Sequence, residues 1–362
     1  MSPLVSKRAL IAAASVLALA LIGVAAALRA QPAGAAVSRA DSRSDTRDSA
    51  AQVALGKQLF NDPTLSRDGQ VSCASCHQAE RAFTDGKPVS TGFEGKPGLR
   101  NAMSLLNVGN QPSFFWDGRR ARLEDQVLDP LVNPLEHALA DQRQVLAAVG
   151  ANPASVKAFQ LAYPGAPTTA LTTDHLAQAL AAFVRTLASP ESAIDRFVLR
   201  TDNAALSADA RAGFAVFTGK AQCTSCHSLQ PDKTSGRILL TDQDFHAHSA
   251  TFYGMHQSLD QAARLILSAG QPLADAARFD PRGTDSLGRF MVTGKLADVG
   301  GFRTPGLRNV ARTAPYFHDG RVATLELALE QELLGQGSEP IPLTPQEKRV
   351  LLAFLRALDD DK

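Results

Sequence analysis

The chain has 362 residues, enough for two domains of roughly 150 each, and 44% of them are hydrophobic. It can therefore bury sizeable cores without long membrane-spanning runs throughout, which excludes a disordered chain and a multispan membrane protein. Lys plus Arg (37) nearly equals Asp plus Glu (36), so there is no charge excess of the kind that holds nucleic acid by neutralising phosphates.

In chain order, Lys7 and Arg8 precede an apolar run from Ala9 to Leu28, and small residues follow around Ala30 and Ala33 to Ala36. Residues 1–36 read as a secretory signal peptide or, because the run is 20 residues long, as an uncleaved N-terminal membrane anchor. Either reading places the folded part outside the cytoplasm, in the periplasm. Residues 37–51 are polar and charge-mixed, as a linker is.

From Gln52 onward one series of motifs runs twice. The first copy is Gly56-x-x-x-Phe60, Cys73-Ala-Ser-Cys76-His77, Pro97-Gly-Leu-Arg-Asn101 and Phe115-Trp116-Asp117-Gly118-Arg119. The second is Gly213-x-x-x-Phe217, Cys223-Thr-Ser-Cys226-His227, Pro305-Gly-Leu-Arg-Asn309 and Phe317-His318-Asp319-Gly320-Arg321. Two copies in the same order mean duplicated domains, here 52–200 and 201–362, and not a solenoid.

Helical stripes are expected at 122–128, 175–187, 324–334 and 344–358. Ser189-Pro190 interrupts the pattern at the seam, and Ser207 can cap the next helix. The stretch 250–289 looks long for a connection, and 260–270 has amphipathic helical spacing. It is either a surface elaboration or a docking segment. With no run of alternating strands, the fold class is all-α: two small helical domains.

All four cysteines lie in the two C-x-x-C-H pentapeptides. This is the attachment signature of c-type haem: two thiols add across the vinyl groups, and the adjacent histidine ligates iron. Zinc held by four cysteines usually spaces its pairs by ~15–20 residues and does not explain a histidine after each pair. Two covalently bound haem c groups follow, on Cys73, Cys76 and His77, and on Cys223, Cys226 and His227.

These motifs, with Arg303-Thr-Pro-Gly-Leu-Arg-Asn-Val310, resemble the bacterial dihaem cytochrome c peroxidase and MauG superfamily over roughly Gln52 to Leu358. The resemblance implies two cytochrome c-like domains whose haems flank the domain interface, with a peroxidatic N-terminal haem and an electron-transfer C-terminal haem. It implies that Gln126, Pro130 and Glu136 form the distal side of the peroxidatic haem. A carboxylate there can move the peroxide proton, an amide can orient the peroxide, and proline cannot ligate iron. It also makes Trp116, the only tryptophan, an electron relay between the haems, and assigns Asn101, Thr313 and Pro315 to an interdomain calcium ion.

Two departures from the family pattern carry consequences. The loop from Val89 to Asn101 lacks the histidine that caps the peroxide haem in many members, so this haem is expected to need no reductive activation. The distal ligand of the C-terminal haem is usually Met or Tyr, and the corresponding position here is Glu332. Its alternatives within the same half are Met255, Met291, His246, His248 and His256. Met103 reads as packing, and His137 and His175 as surface or packing residues.

The expected function is therefore reduction of hydrogen peroxide, with electrons from a small periplasmic cytochrome c or cupredoxin. The alternative is a MauG-like oxidation of residues on a protein substrate. A non-catalytic dihaem electron carrier is the third reading, and Gln126, Pro130 and Glu136 argue against it. A homodimer is compatible with the sequence.

Overall fold

The computed structural model describes residues 48–109, 111–166, 171–247, 285–335 and 340–360. Helix α1 (Ala50–Phe60) starts at Ser49, whose hydroxyl takes the Gln52 N–H while the Gln52 side chain takes the Ser49 N–H. Helices α2 (Gln142–Ala151), α3 (Pro153–Ala162) and α4 (Thr173–Arg185) follow, each capped by a side-chain oxygen, from Asp141, Asn152 and Thr172 respectively. Helix α5 (Ala193–Leu199) lies in the expected seam, α6 (Ala208–Thr218) is capped by Ser207, and α7 (Leu325–Gly335) and α8 (Pro345–Arg356) close the chain. The helix expected at 122–128 is two short pieces, Leu123–Gln126 and Asp129–Val132, because Pro130 lacks the N–H needed to continue one helix into the next.

Buried side chains form two large clusters. One runs from Leu55 to Val184 and centres on α1 and α4; the other runs from Ala193 to Leu358 and centres on α6 and α8. The short Gly-x-x-x-Phe echo explains how both are built. A Cβ on Gly56 would stand 1.8 Å from the Ala179 carbonyl oxygen, and one on Gly213 would stand 2.0 Å from that of Val350. Each glycine thus lets two helix backbones touch. One turn on, Phe60 packs on Phe183 (ring centroids 5.1 Å apart) and Phe217 on Phe354 (5.1 Å).

The D-G-R repeat also has a structural cause. Phe115 and Phe317 have φ of 68° and 69°, and Gly118 and Gly320 have 67° and 62°. The chain reverses on itself, with Phe114 N–H donating to Arg120 O and Tyr316 N–H to Val322 O, both at 2.8 Å. By contrast, the P-G-L-R-N copies diverge. Arg308 is buried and bonds Asp195 (2.7 Å) and Asp360 (2.9 Å), while Asn309 exchanges hydrogen bonds with Asp360. Arg100 lies over the Phe302 ring, and Asn101 N–H donates to His318 O.

Two three-residue strands, β1 (Phe245–Ala247) and β2 (Gly301–Arg303), pair antiparallel with Phe245 opposite Arg303. Sequence periodicity misses them because three residues carry too little alternation to register. The expected leader and most of the linker, and the segment at 260–270, lie outside the described residues, as do His248, Met255 and His256. Among the described residues no helix is long and apolar enough to cross a membrane.

Candidate functional site

Each C-x-x-C-H pentapeptide forms a single tight turn. Cys73–Cys76 is one helical turn, with Ser72 N–H donating to Ser75 Oγ (3.0 Å), and Cys223–Ser225 is a tighter 3-10 turn. In both, the histidine N–H returns to the first cysteine carbonyl, at 3.0 Å for His77 and 2.9 Å for His227. None of the four cysteines is in a disulfide, and burial pushes Cys73 and Cys223 up to about 12.

The two histidine rings are held in the same way. His77 Nδ1 lies 2.9 Å from Phe83 O and His227 Nδ1 2.9 Å from Leu240 O. A carbonyl can only accept, so Nδ1 carries the proton and Nε2 keeps the lone pair that a metal takes. Both anchoring residues have left-handed backbones, Phe83 at φ 58° and Leu240 at 54°, although they lie six and thirteen residues after their histidines. The spacing differs and the anchor is a carbonyl, so the repeat gives no sequence signal for it. Such an outer contact fixes tautomer and ring orientation.

Each motif is also faced by one glutamate. The Glu136 charge acts on Cys73 and Cys76, and the Glu332 charge acts on Cys223, Cys226 and His227, raising the thiols in each case. Glu136 sits on the turn after Asp129–Val132. The Pro130 carbonyl accepts from Asn133 N–H and His137 N–H there, both at 3.3 Å, and Asn133 Nδ2 donates to Glu136 Oε1 at 2.5 Å. Burial pushes the Glu136 carboxyl above the ordinary carboxylate range, while the nearby Arg119 guanidinium and the Asn133 amide pull the other way. Arg119 lies over the Phe115 ring (3.4 Å) and pairs with Asp117. Gln126 closes the preceding short helix.

Between the two cores lies a largely apolar cavity of about 280 Å³. Trp116, Asn101, Thr313 and Pro315 line it together with Cys223, Cys226, His227 and Glu332. Trp116 Nε1 donates to Asn101 O (3.0 Å), which locks the indole against the P-G-L-R-N loop. Asn101 Nδ2 donates to Lys87 O (2.9 Å) and Pro88 O (3.3 Å). Met103, expected only to pack, lines the same cavity. His246 also reaches it, with Nε2 2.7 Å from Asp242 Oδ2. Cys226 Sγ lies with those two groups, all within 4.8 Å of one another. Met291 packs instead on the small Leu287–Phe290 cluster. His137 is buried, with Nδ1 2.8 Å from Leu65 O, and His175 packs edge-on to Phe159 and tilted on Tyr163.

Sequence reasoning missed two cavity residues. His318, the counterpart of Trp116 in the repeat, is only 2% exposed and stacks on Phe302 with centroids 3.9 Å apart. Burial, with Arg100 and Arg321 nearby, pushes it down to about 2, so it is neutral. Arg303 is also 2% exposed, and its Nε and Nη1 have no hydrogen-bond partner among the described residues. One clue to Arg303 was in the sequence, since the first copy has Gly95 at that place.

Two thiols one turn apart, an imidazole with Nε2 available and an apolar cavity lined by a buried cation with no acid partner among the described residues fit a covalently attached porphyrin. The comparisons point the same way. A family profile described as di-haem cytochrome c peroxidase matches residues 50–204. The methylamine utilization protein MauG of Methylorubrum extorquens is 34% identical over 315 residues, covering 85% of this chain and 78% of that protein. The cytochrome c peroxidase Ccp of Escherichia coli is 32% identical over 310 residues, covering 86% of this chain and 58% of that protein. A solved MauG-like protein associated with microbial copper homeostasis superposes with a TM-score of 0.67 at 31% identity, covering 86% of this chain and 90% of that one.

Proposed function

Because the chain belongs to the dihaem cytochrome c peroxidase and MauG superfamily, it is an oxidoreductase that uses peroxide, and we propose that it reduces hydrogen peroxide to water at a haem held by Cys73, Cys76 and His77. The observation that carries this reading is the Glu136 carboxyl, raised by burial and set beside that attachment motif. The bound haem supplies an iron that accepts oxygen and exchanges electrons. Glu136 takes a proton from the inner peroxide oxygen and delivers it to the outer one. Burial favours the protonated form of this carboxyl, and Arg119 and Asn133 favour the charged one. Gln126 orients the peroxide, and the Pro130 side chain offers no lone pair that could block the metal. Two electrons and two protons convert the peroxide to two waters. The electrons arrive from the Cys223, Cys226 and His227 side through Trp116, which lines the cavity beside that motif.

The proposal extends to the setting. The chain is exported to the periplasm by residues 1–36, free or anchored, and draws electrons from a small cytochrome c or cupredoxin. Its two haem-bearing halves, 52–200 and 201–362, hold calcium between them through Asn101, Thr313 and Pro315, all of which line the shared cavity.

A second reading, oxidation of residues on a partner protein, is favoured by one observation: Glu332, a hard anionic group, faces the second motif where a thioether would raise the potential. The experiment adds peroxide to the fully oxidised protein, with and without a reduced small cytochrome c. Steady cytochrome oxidation, with high-spin ferric bands before any reduction, is the expected result. Bands that are low-spin only, with no peroxide consumed, would leave a plain electron carrier.

A further inference from the structure

We propose that the cavity between the two cores contains a carboxylate-binding site built on Arg303, and that a propionate of the porphyrin attached to Cys223 and Cys226 fills it. The inference rests on the haem reading above. Arg303 is held rigidly: it ends β2, its N–H donates to Trp116 O at 2.9 Å, and Phe245 lies opposite it in the strand pair. Arg303 is one of the residues lining the cavity, as are His227, Cys226 and Trp116.

The only bond this guanidinium makes among the described residues is a weak one, Nη2 to Met103 Sδ at 3.8 Å. Burial alone acts on its proton affinity, pulling it down to about 10, and no acid among the described residues offsets that. An unpaired buried cation is strongly unfavourable, so chains keep one only where an anion completes it. Five residues on, Arg308 is equally buried and bonds two carboxylates of its own chain. Among the described residues, therefore, Arg303 has no anion of its own, and a haem propionate would supply one. The free Nη1 and the Nη2 held only by the Met103 sulfur form the planar end-on fork that matches a carboxylate, and the free Nε is a further donor.

The repeat adds an independent argument. The equivalent position in the first copy is Gly95, on an exposed turn with φ 72°. The cation thus belongs to the second motif alone, and makes the two haems electrostatically unequal. A fixed positive charge against the propionate disfavours the oxidised, more positive iron and holds that haem at a higher potential.

The test is a spectroelectrochemical titration of the holoprotein and of Arg303→Gln, with haems counted by mass. The expected result is that the wave of the C-terminal haem falls by about tenfold in its reduction constant, ~59 mV for one electron. That wave also gains a pH dependence as the freed carboxyl titrates, while the other haem's wave stays in place. Arg303→Lys keeps the charge without the fork and falls between the two, which guards against a variant that folds poorly. Neither wave moving, or both moving equally, overturns the assignment. So does a wild-type potential that responds to exchange of sulfate for formate at fixed ionic strength, since a free anion would then occupy the site. Fewer than two haems on the wild-type chain would instead overturn the reading beneath it.

Discussion

Glu136 is a residue whose meaning depends on where it is placed. On an exposed helix end it would be one acid among many; beside Cys73 and Cys76 its burial raises its proton affinity above that of an ordinary carboxylate. Its base form then predominates only above a pH higher than the ordinary carboxylate value of about 4.3. The acid limb of kcat/KM for peroxide should accordingly lie above that value. Glu136→Gln should lower kcat about 10²–10⁴-fold and remove this limb, as read from a pH series of peroxide-dependent cytochrome oxidation. An unchanged profile would return Glu136 to a structural role. The histidines show the same dependence on placement: His77 and His227 are presented by carbonyls that no motif encodes, whereas His318 is a buried neutral ring stacked on Phe302.

At the scale of elements, the informative contacts are the two helix crossings. Alanine is a better helix former than glycine by about 1 kcal/mol, so propensity alone predicts that Gly56→Ala and Gly213→Ala stabilise. The crossings predict the opposite. A Cβ at either site meets a backbone carbonyl that cannot rotate away, and the helices must separate. Each variant should lose roughly 1–3 kcal/mol in urea unfolding, the usual cost of overpacking. A gain in stability would show that the crossings are looser than they stand here. The D-G-R turns work likewise: their glycines and preceding aromatics adopt left-handed backbones, which place Trp116 and His318 at equivalent points of the two halves.

On the scale of the molecule, the described residues belong to one compact unit with two buried clusters. Arg308 ties its parts together, joining Asp195 on α5 to Asp360 beyond α8. Arg308→Met leaves those carboxylates without their cation and should cost about 3–5 kcal/mol. The double variant with Asp195→Leu should recover part of the loss, because the charge left unpaired is then gone. A urea series on the three variants checks this, and strict additivity would deny the coupling.

Helices α4, α7 and α8, the Ser207 cap of α6, the doubled order of motifs and the haem signature were legible in the sequence. Each is written in neighbouring residues: a side-chain period, a capping oxygen, five positions in a row. The short strands, the carbonyls behind His77 and His227, the neutral state of His318 and the burial of Arg303 were not. These depend on what distant segments place against one another and on how much water is left between them. A local string of residues carries chemical type and spacing, but burial, and with it proton affinity and the need for a counter-charge, exists only once the chain has closed around the site.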